Sequence, residues 1–298
     1  MNKKFSSFWV LLAAILWGTT GTAQTFAPEG AHPFALGATR LAVGGISLFL
    51  IVLLLGQLNL KNWPMKAILL ASLSMAIYQP LFFSAVTITG VAIGTVIAIG
   101  SAPILSGVLE WIVLKKSPSK IWWYSTLFSI LGCLMLFLNK ESVNVDPYGI
   151  LMALGAGLSF AIYTFSSKKL VKNYSTLLVV AVIFTLSATL LSPFLFLYDM
   201  SWIMELKGVT VSLHLGIIAT GMAYFLFSKG LINTPSSTAV TLSLAEPLTA
   251  ALLGVYLVGE DLDFTSWIGI SLLIIGIGLL IWSSPNPKKV LQVHSTIK

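Results

Sequence analysis

Apolar residues run along the chain in blocks of about 17 to 25, separated by short clusters of polar residues, proline and glycine. A helix rises about 1.5 Å per residue, so each block can cross a hydrocarbon layer of about 30 Å. Helices are expected near 8–27, 35–55, 66–87, 91–114, 121–138, 148–168, 175–198, 209–231, 235–258 and 264–283. Only Thr89 and Gly90 mark the turn between the third and the fourth. Helical periodicity within each block is weak, as it is where the lipid face and the packing face are both apolar. The expected fold is an all-α membrane protein of ten transmembrane helices.

Composition strengthens this reading. Of 298 residues, 57% are hydrophobic and 9% charged, and the mean hydropathy is +0.94, far outside the range of soluble domains. The apolar run after Lys3 and Lys4 lacks a small-residue cleavage site, so the first helix is expected to stay. The single cysteine, Cys133, lies inside an apolar block and reads as a buried thiol. The net charge of +7 is scattered between blocks, which argues against a nucleic-acid patch. It carries topology instead. Lys3, Lys4, Lys61, Lys66, Lys115, Lys116, Lys120, Lys168, Lys169, Lys172, Lys229, Lys288, Lys289 and Lys298 fall on one side, 14 of the 17 basic residues. Lys140 and Lys207 fall on the other, and Arg40 lies within a helix. Excess Lys and Arg mark cytoplasmic loops, so both termini are expected in the cytoplasm.

A split near residue 145 leaves five helices on each side, and an odd number of crossings makes the second half enter the membrane in the opposite sense. The expected units are a first repeat at 1–145, a second at 146–285 and a cytoplasmic tail at 286–298. Residues 84–138 overlay 228–282 without gaps at an offset of 144, the interval from Pro103 to Pro247. In that register Trp123 meets Trp267 and Gly132 meets Gly276. Inverted repeats place a site at their interface near the midplane, with the fourth and ninth helices, broken at their prolines, facing across it.

The chemistry concentrates in the ninth helix. Glu246 sits about ten residues from either end, where a carboxylate needs water, a partner or the bundle interior. Pro247 beside it withholds an N–H and loosens the helix one turn back. Two readings stand for Glu246: it meets an amino group or carries a proton, or it is tied down locally by Ser243, Thr249 or a base. Its match in the first half is Ala102. Arg40, one and a half turns into the second helix, reaches either for headgroups or inward for a carboxylate. Trp17, Thr20, Gln24, Tyr78, Gln79, Tyr163 and Tyr224 supply polar and aromatic surface at mid-depth, suited to a small amphipathic solute. Pro80, Pro103 and Pro247 are the expected helix breaks. Glu110 and Lys229, near cytoplasmic ends, read as solvated side chains or as a gating pair. Trp63, Trp122, Trp123, Trp202 and Trp267 read as an interfacial belt.

No Walker-type phosphate loop and no GxSxG elbow occur, and His32, His214 and His294 lie apart in unrelated segments. ATP-driven transport, metallohydrolase and esterase chemistry are therefore not expected. Neither a cofactor nor a metal is required.

The Trp17-Gly18 pair, Arg40, the pattern SLAEPLTAALLGVYLVGE from Ser243 to Glu260 and the Gly-rich last helix resemble the EamA-type transporters of the drug/metabolite transporter superfamily. The first half departs from that pattern, with Ala102-Pro103 and Lys115-Lys116 at the corresponding places. The resemblance implies a multi-pass carrier of the bacterial inner membrane, not an enzyme, often an exporter of amino acids or related metabolites. The reading adopted is a secondary transporter working by alternating access, with protons as the preferred coupling ion. Uncoupled facilitative exchange, or a non-transporting scaffold or lipid-handling protein, are the alternatives. Its partners would be a small-molecule substrate, the bilayer and protons, with no nucleic acid; oligomeric state is left open.

Overall fold

The computed structural model describes residues 3–59, 61, 63–115, 117–137, 146–259 and 261–283. Lys116, Lys140, Glu141, Glu260, Lys288, Lys289, His294, Lys298 and the tail at 286–298 lie outside the described residues. Ten spans follow in order: α1 (Lys3–Thr25), α2 (Pro33–Leu54), α3 (Met65–Thr89), α4 (Val91–Leu114) and α5 (Lys120–Phe137), then α6 (Pro147–Val171), α7 (Thr176–Leu191), α8 (Leu206–Leu231), α9 (Ser236–Val258) and α10 (Phe264–Ser283). Gly90 alone separates α3 from α4, at a φ of 84° that favours a residue without a Cβ.

Three spans are less regular than their hydropathy suggested. α7 ends at Leu191, and a short turn, Phe194–Leu197, completes the crossing after Pro193. The middle of α8, His214–Met222, is wound as a π-helix. α9 breaks at Ser243 and Leu244 and resumes at Ala245–Leu253, before a wide last turn at Gly254–Val258. The break lies three to four residues before Pro247, where its ring and missing N–H disturb the ladder. Pro80 and Pro103, expected as breaks, instead sit inside unbroken helices. Local adjustment of neighbouring turns absorbs proline in many membrane helices.

The two halves are inverted five-helix repeats, and their packing follows a pseudo-two-fold pattern. α1 packs on α8 and α9, as α6 packs on α3 and α4; α2 packs on α7, and α5 on α10. The α5–α10 seam shows the symmetry at single residues. A Cβ on Gly132 would stand 2.6 Å from the carbonyl oxygen of Gly269 and 2.8 Å from the nitrogen of Leu273. One on Gly276 would stand 2.7 Å from the carbonyl of Ser125 and 2.9 Å from the nitrogen of Ser129. Subtracting 144 from Gly276, Gly269 and Leu273 gives Gly132, Ser125 and Ser129, so the sequence offset is also the symmetry of the contact. Small residues let helix backbones approach where no water-driven force holds them together. Gly132→Val is therefore expected to lower thermal stability in detergent by about 1–3 kcal/mol. Gly278→Val, where nothing lies within 4 Å, is expected to leave it unchanged.

Several charged and aromatic positions differ from their sequence-based readings. Trp63, Trp122 and Trp202 are buried rather than interfacial: Trp63 packs on Tyr174 with ring centroids 5.1 Å apart, and the Trp122 ring covers Gly107. Trp123 and Trp267 remain exposed. Lys229 is not simply solvated, since its Nζ lies 4.4 Å above the Trp9 ring. Cys133 is fully buried.

Candidate functional site

Seven helices, α1, α2, α3, α4, α6, α8 and α9, enclose a cavity of about 50 Å³ lined by Trp17, Thr20, Arg40, Tyr78, Gln79, Ala98, Ile99, Ala102, Phe160, Tyr224, Ser243 and Glu246. That is several times the ~10–15 Å³ a single water needs. The cavity straddles the pseudo-two-fold axis, because Ile99 and Ala102 of α4 correspond at the 144-residue offset to Ser243 and Glu246 of α9. One wall is apolar and its mate carries a hydroxyl and a carboxylate.

Backbone irregularity and close packing aim these side chains. Gly18 lets α1 press on the break in α9, since a Cβ there would stand 2.8 Å from the carbonyl oxygen of Glu246. Gly157 of α6 does the same against α4, 2.8 Å from the carbonyl of Ala98. Gly44 lets α2 approach the π-wound part of α8, since a Cβ there would stand 2.7 Å from the carbonyl oxygen of Gly216. One turn before Gly44, Arg40 turns inward: Nε donates to Thr220 Oγ1 at 3.0 Å and Nη2 to the Ala219 carbonyl at 3.3 Å. It is a cavity residue fixed by α8, not a headgroup anchor. Two hydrogen bonds of a charged donor hold the guanidinium plane in place.

Glu246 is half-buried on the cavity wall, and the local ties that would make it structural are absent. Ser243 Oγ donates to the Val240 carbonyl at 2.7 Å and Thr249 Oγ1 to that of Ala245 at 2.9 Å. Among the described residues the carboxylate accepts no hydrogen bond and forms no ion pair, with Arg40 or any other base. Two further groups are unsatisfied: the Trp17 indole N–H and the Thr20 hydroxyl are buried without a protein partner. Buried polar atoms nearly always find partners, so unpartnered ones around a cavity mark where water or a ligand binds.

Aromatic rings form the remaining surface. Trp17 meets Phe160 edge-on at 5.9 Å, Tyr224 at 4.7 Å and Phe227 at 5.1 Å, and Tyr78 lies 6.1 Å from Phe160. Seven sequence candidates thus share one cavity: Trp17, Thr20, Arg40, Tyr78, Gln79, Tyr224 and Glu246. Two do not line it. Gln24 lies beyond, on the last turn of α1. Tyr163 is fully buried behind the wall, edge-on to Tyr224 at 5.6 Å and to Phe184 at 6.0 Å. Phe160, Ala98 and Ile99 were not anticipated. For Phe160 a signal existed, since it lies one residue from the position that the 144-residue offset pairs with Trp17.

The arrangement offers a fixed cation, a carboxylate unpaired among the described residues, and edge-on and tilted aromatic rings in one small chamber. It holds no nucleophile–base pair, and no group of three or more metal-ligating side chains occurs among the described residues.

Known proteins resemble this chain along most of its length. The profile of the EamA-like transporter family matches residues 4–138 and 147–282. An uncharacterized transporter of Bacillus subtilis, YwfM, is 51% identical over 292 residues, covering 98% of each chain. The threonine/homoserine exporter RhtA of Escherichia coli is 25% identical over 226 residues, covering 74% of each. A crystal structure at 19% identity superposes with a TM-score of 0.83 over 94% of this chain and 97% of the other. That likeness is one of fold.

Proposed function

Because this chain belongs to the EamA-like transporter family and is a multi-pass membrane transporter rather than an enzyme or a scaffold, we propose that it exports small zwitterionic metabolites of the amino-acid class. The observation that carries this reading is that Arg40 and Glu246 line one cavity without forming an ion pair among the described residues. Two opposite charges that do not neutralise each other stay available to a molecule carrying both. The solute's carboxylate meets the Arg40 N–H groups that Thr220 and Ala219 do not engage, its ammonium meets Glu246, and its side chain lies among Trp17, Tyr78, Phe160 and Tyr224. The name of RhtA, a threonine/homoserine exporter, lends support to that class and to export.

The carrier works by alternating access between repeats divided near residue 145, with both termini in the cytoplasm of a bacterial cell and the span set in its inner membrane. Charge bias of the loops supports the orientation. Protons couple the cycle through Glu246, which either holds the solute's ammonium or takes up a proton as the solute leaves. The three ligands of the cycle are the solute, the proton and the bilayer around the spans.

The test is export from cells and vesicles. Overproduction is expected to protect a sensitive strain against toxic zwitterionic amino acids and not against amines lacking the carboxylate. Proteoliposomes containing the purified protein are expected to exchange the protecting compound. Protection against amines alone, or no flux of any amino acid, overturns the reading.

A further inference from the structure

At the face where α1 begins, a carboxylate joins the two halves. Glu110 of α4, 13% exposed, places Oε2 where the Ser237 backbone N–H donates at 3.0 Å and the Ser237 hydroxyl at 2.7 Å. Its Oε1 lies 3.9 Å from Nζ of Lys168 on α6, which is 16% exposed and itself donates to the Thr234 carbonyl at 2.7 Å. Three spans therefore meet at one charged cluster. Ser237 stands in the first turn of α9, where free N–H groups and the helix dipole favour a negative charge.

The cluster is in line with the cavity. Ala98, Ala102, Ser106 and Glu110 recur every four residues along one face of α4. The first two line the cavity. Ser106 is buried, and its hydroxyl has no partner. Glu110 comes next, at the mouth. Among the described residues the opposite mouth shows no equivalent, although the fold provides the same positions there. At the 144-residue offset Glu110 corresponds to Gly254 and Ser237 to Ile93, neither of which can form a charge-assisted hydrogen bond through a side chain.

We infer that Glu110, Ser237 and Lys168 form a one-sided gate latch, which holds α4, α6 and α9 together at the cytoplasmic mouth and has to open before the cavity can be reached from the cytoplasm. The inference extends the transport reading above and rests on its alternating access and orientation. It assigns Glu110 a positioning role: the side chain touches helices, not solute. An inverted repeat on its own gives two mouths of comparable strength. The latch stabilises one closed state and makes the resting carrier favour access from outside. Each turnover then includes a step that breaks charge-assisted hydrogen bonds at one mouth only.

The reporter is Ala102→Cys in a Cys133→Ala background, labelled with a membrane-impermeant methanethiosulfonate. Labelling rates are taken separately from the cytoplasmic face in inside-out vesicles and from the outer face in right-side-out vesicles. Adding Glu110→Gln, which keeps the shape and removes the charge, is expected to raise the cytoplasmic rate and lower the outer rate. The ratio of the two should shift by about tenfold, the difference between a charge-assisted and a neutral hydrogen-bond set. Ser237→Ala, which removes only the hydroxyl donor, should shift it by about threefold in the same direction, and it carries the test if Glu110→Gln fails to insert. An unchanged ratio, or both rates rising together as in general loosening, overturns the inference. The readout needs no transported solute, so a wrong substrate class leaves it intact, and a failed latch leaves the export assay intact.

Discussion

Glu246→Gln is expected to remove proton-driven transport while the protein stays folded and inserted. The carboxylate lies on the cavity wall without a hydrogen bond or ion pair among the described residues, so no structural tie is lost with its charge. Glutamine fills the same volume and keeps an acceptor, which spares the packing between α9 and α1. What disappears is a negative charge for an ammonium group and a site that binds and releases a proton. Leaving one partner of a buried charge pair without its mate costs about 2–5 kcal/mol, and about 1.4 kcal/mol is tenfold. Uptake driven by a pH gradient in proteoliposomes should fall by at least about 30-fold, with thermal stability close to that of the parent. If the variant still transports in full with an unaltered pH response, Glu246 has no part in coupling.

Arg40 carries the second large effect, and its geometry separates charge from shape. Nε and Nη2 bond Thr220 and Ala219 across two neighbouring positions of α8, a fork that the single ammonium of lysine cannot reproduce. Arg40→Lys should weaken solute affinity by about tenfold while preserving the net charge of the cavity. Arg40→Met removes the carboxylate partner altogether and should weaken it by about 30-fold or more. The discriminating measurement is selectivity. In the parent a zwitterion should compete far better than the corresponding amine; in Arg40→Met the two should compete about equally. Retained discrimination would move the carboxylate site elsewhere.

The two predictions draw on different kinds of legibility. Glu246 could be found without coordinates, because a carboxylate ten residues into an apolar span has few tolerable roles. Arg40 could be found but not understood: snorkelling toward headgroups and reaching inward have the same sequence signature. Gly44 drawing α2 onto the wide turns of α8 decides between them, and no local pattern announces that contact. The bundle interior distinguishes positions that sequence treats alike. Trp63 and Trp267 both lie near helix ends, yet one packs on Tyr174 in the interior and the other stays exposed. Glu110, whose sequence position left a solvated side chain and a gating partner both open, meets Ser237 from the opposite half of the chain.

Hydropathy, charge bias and the register of Pro, Trp and Gly determined by themselves that ten helices cross a membrane as two oppositely inserted copies. Each of these follows from local transfer energies or from parity, and needs no knowledge of neighbours. Tertiary structure alone decided which side chains share the cavity, which way Arg40 turns, and that one mouth is latched. Those outcomes depend on contacts between residues far apart in the chain, where a single glycine sets how closely two backbones can meet.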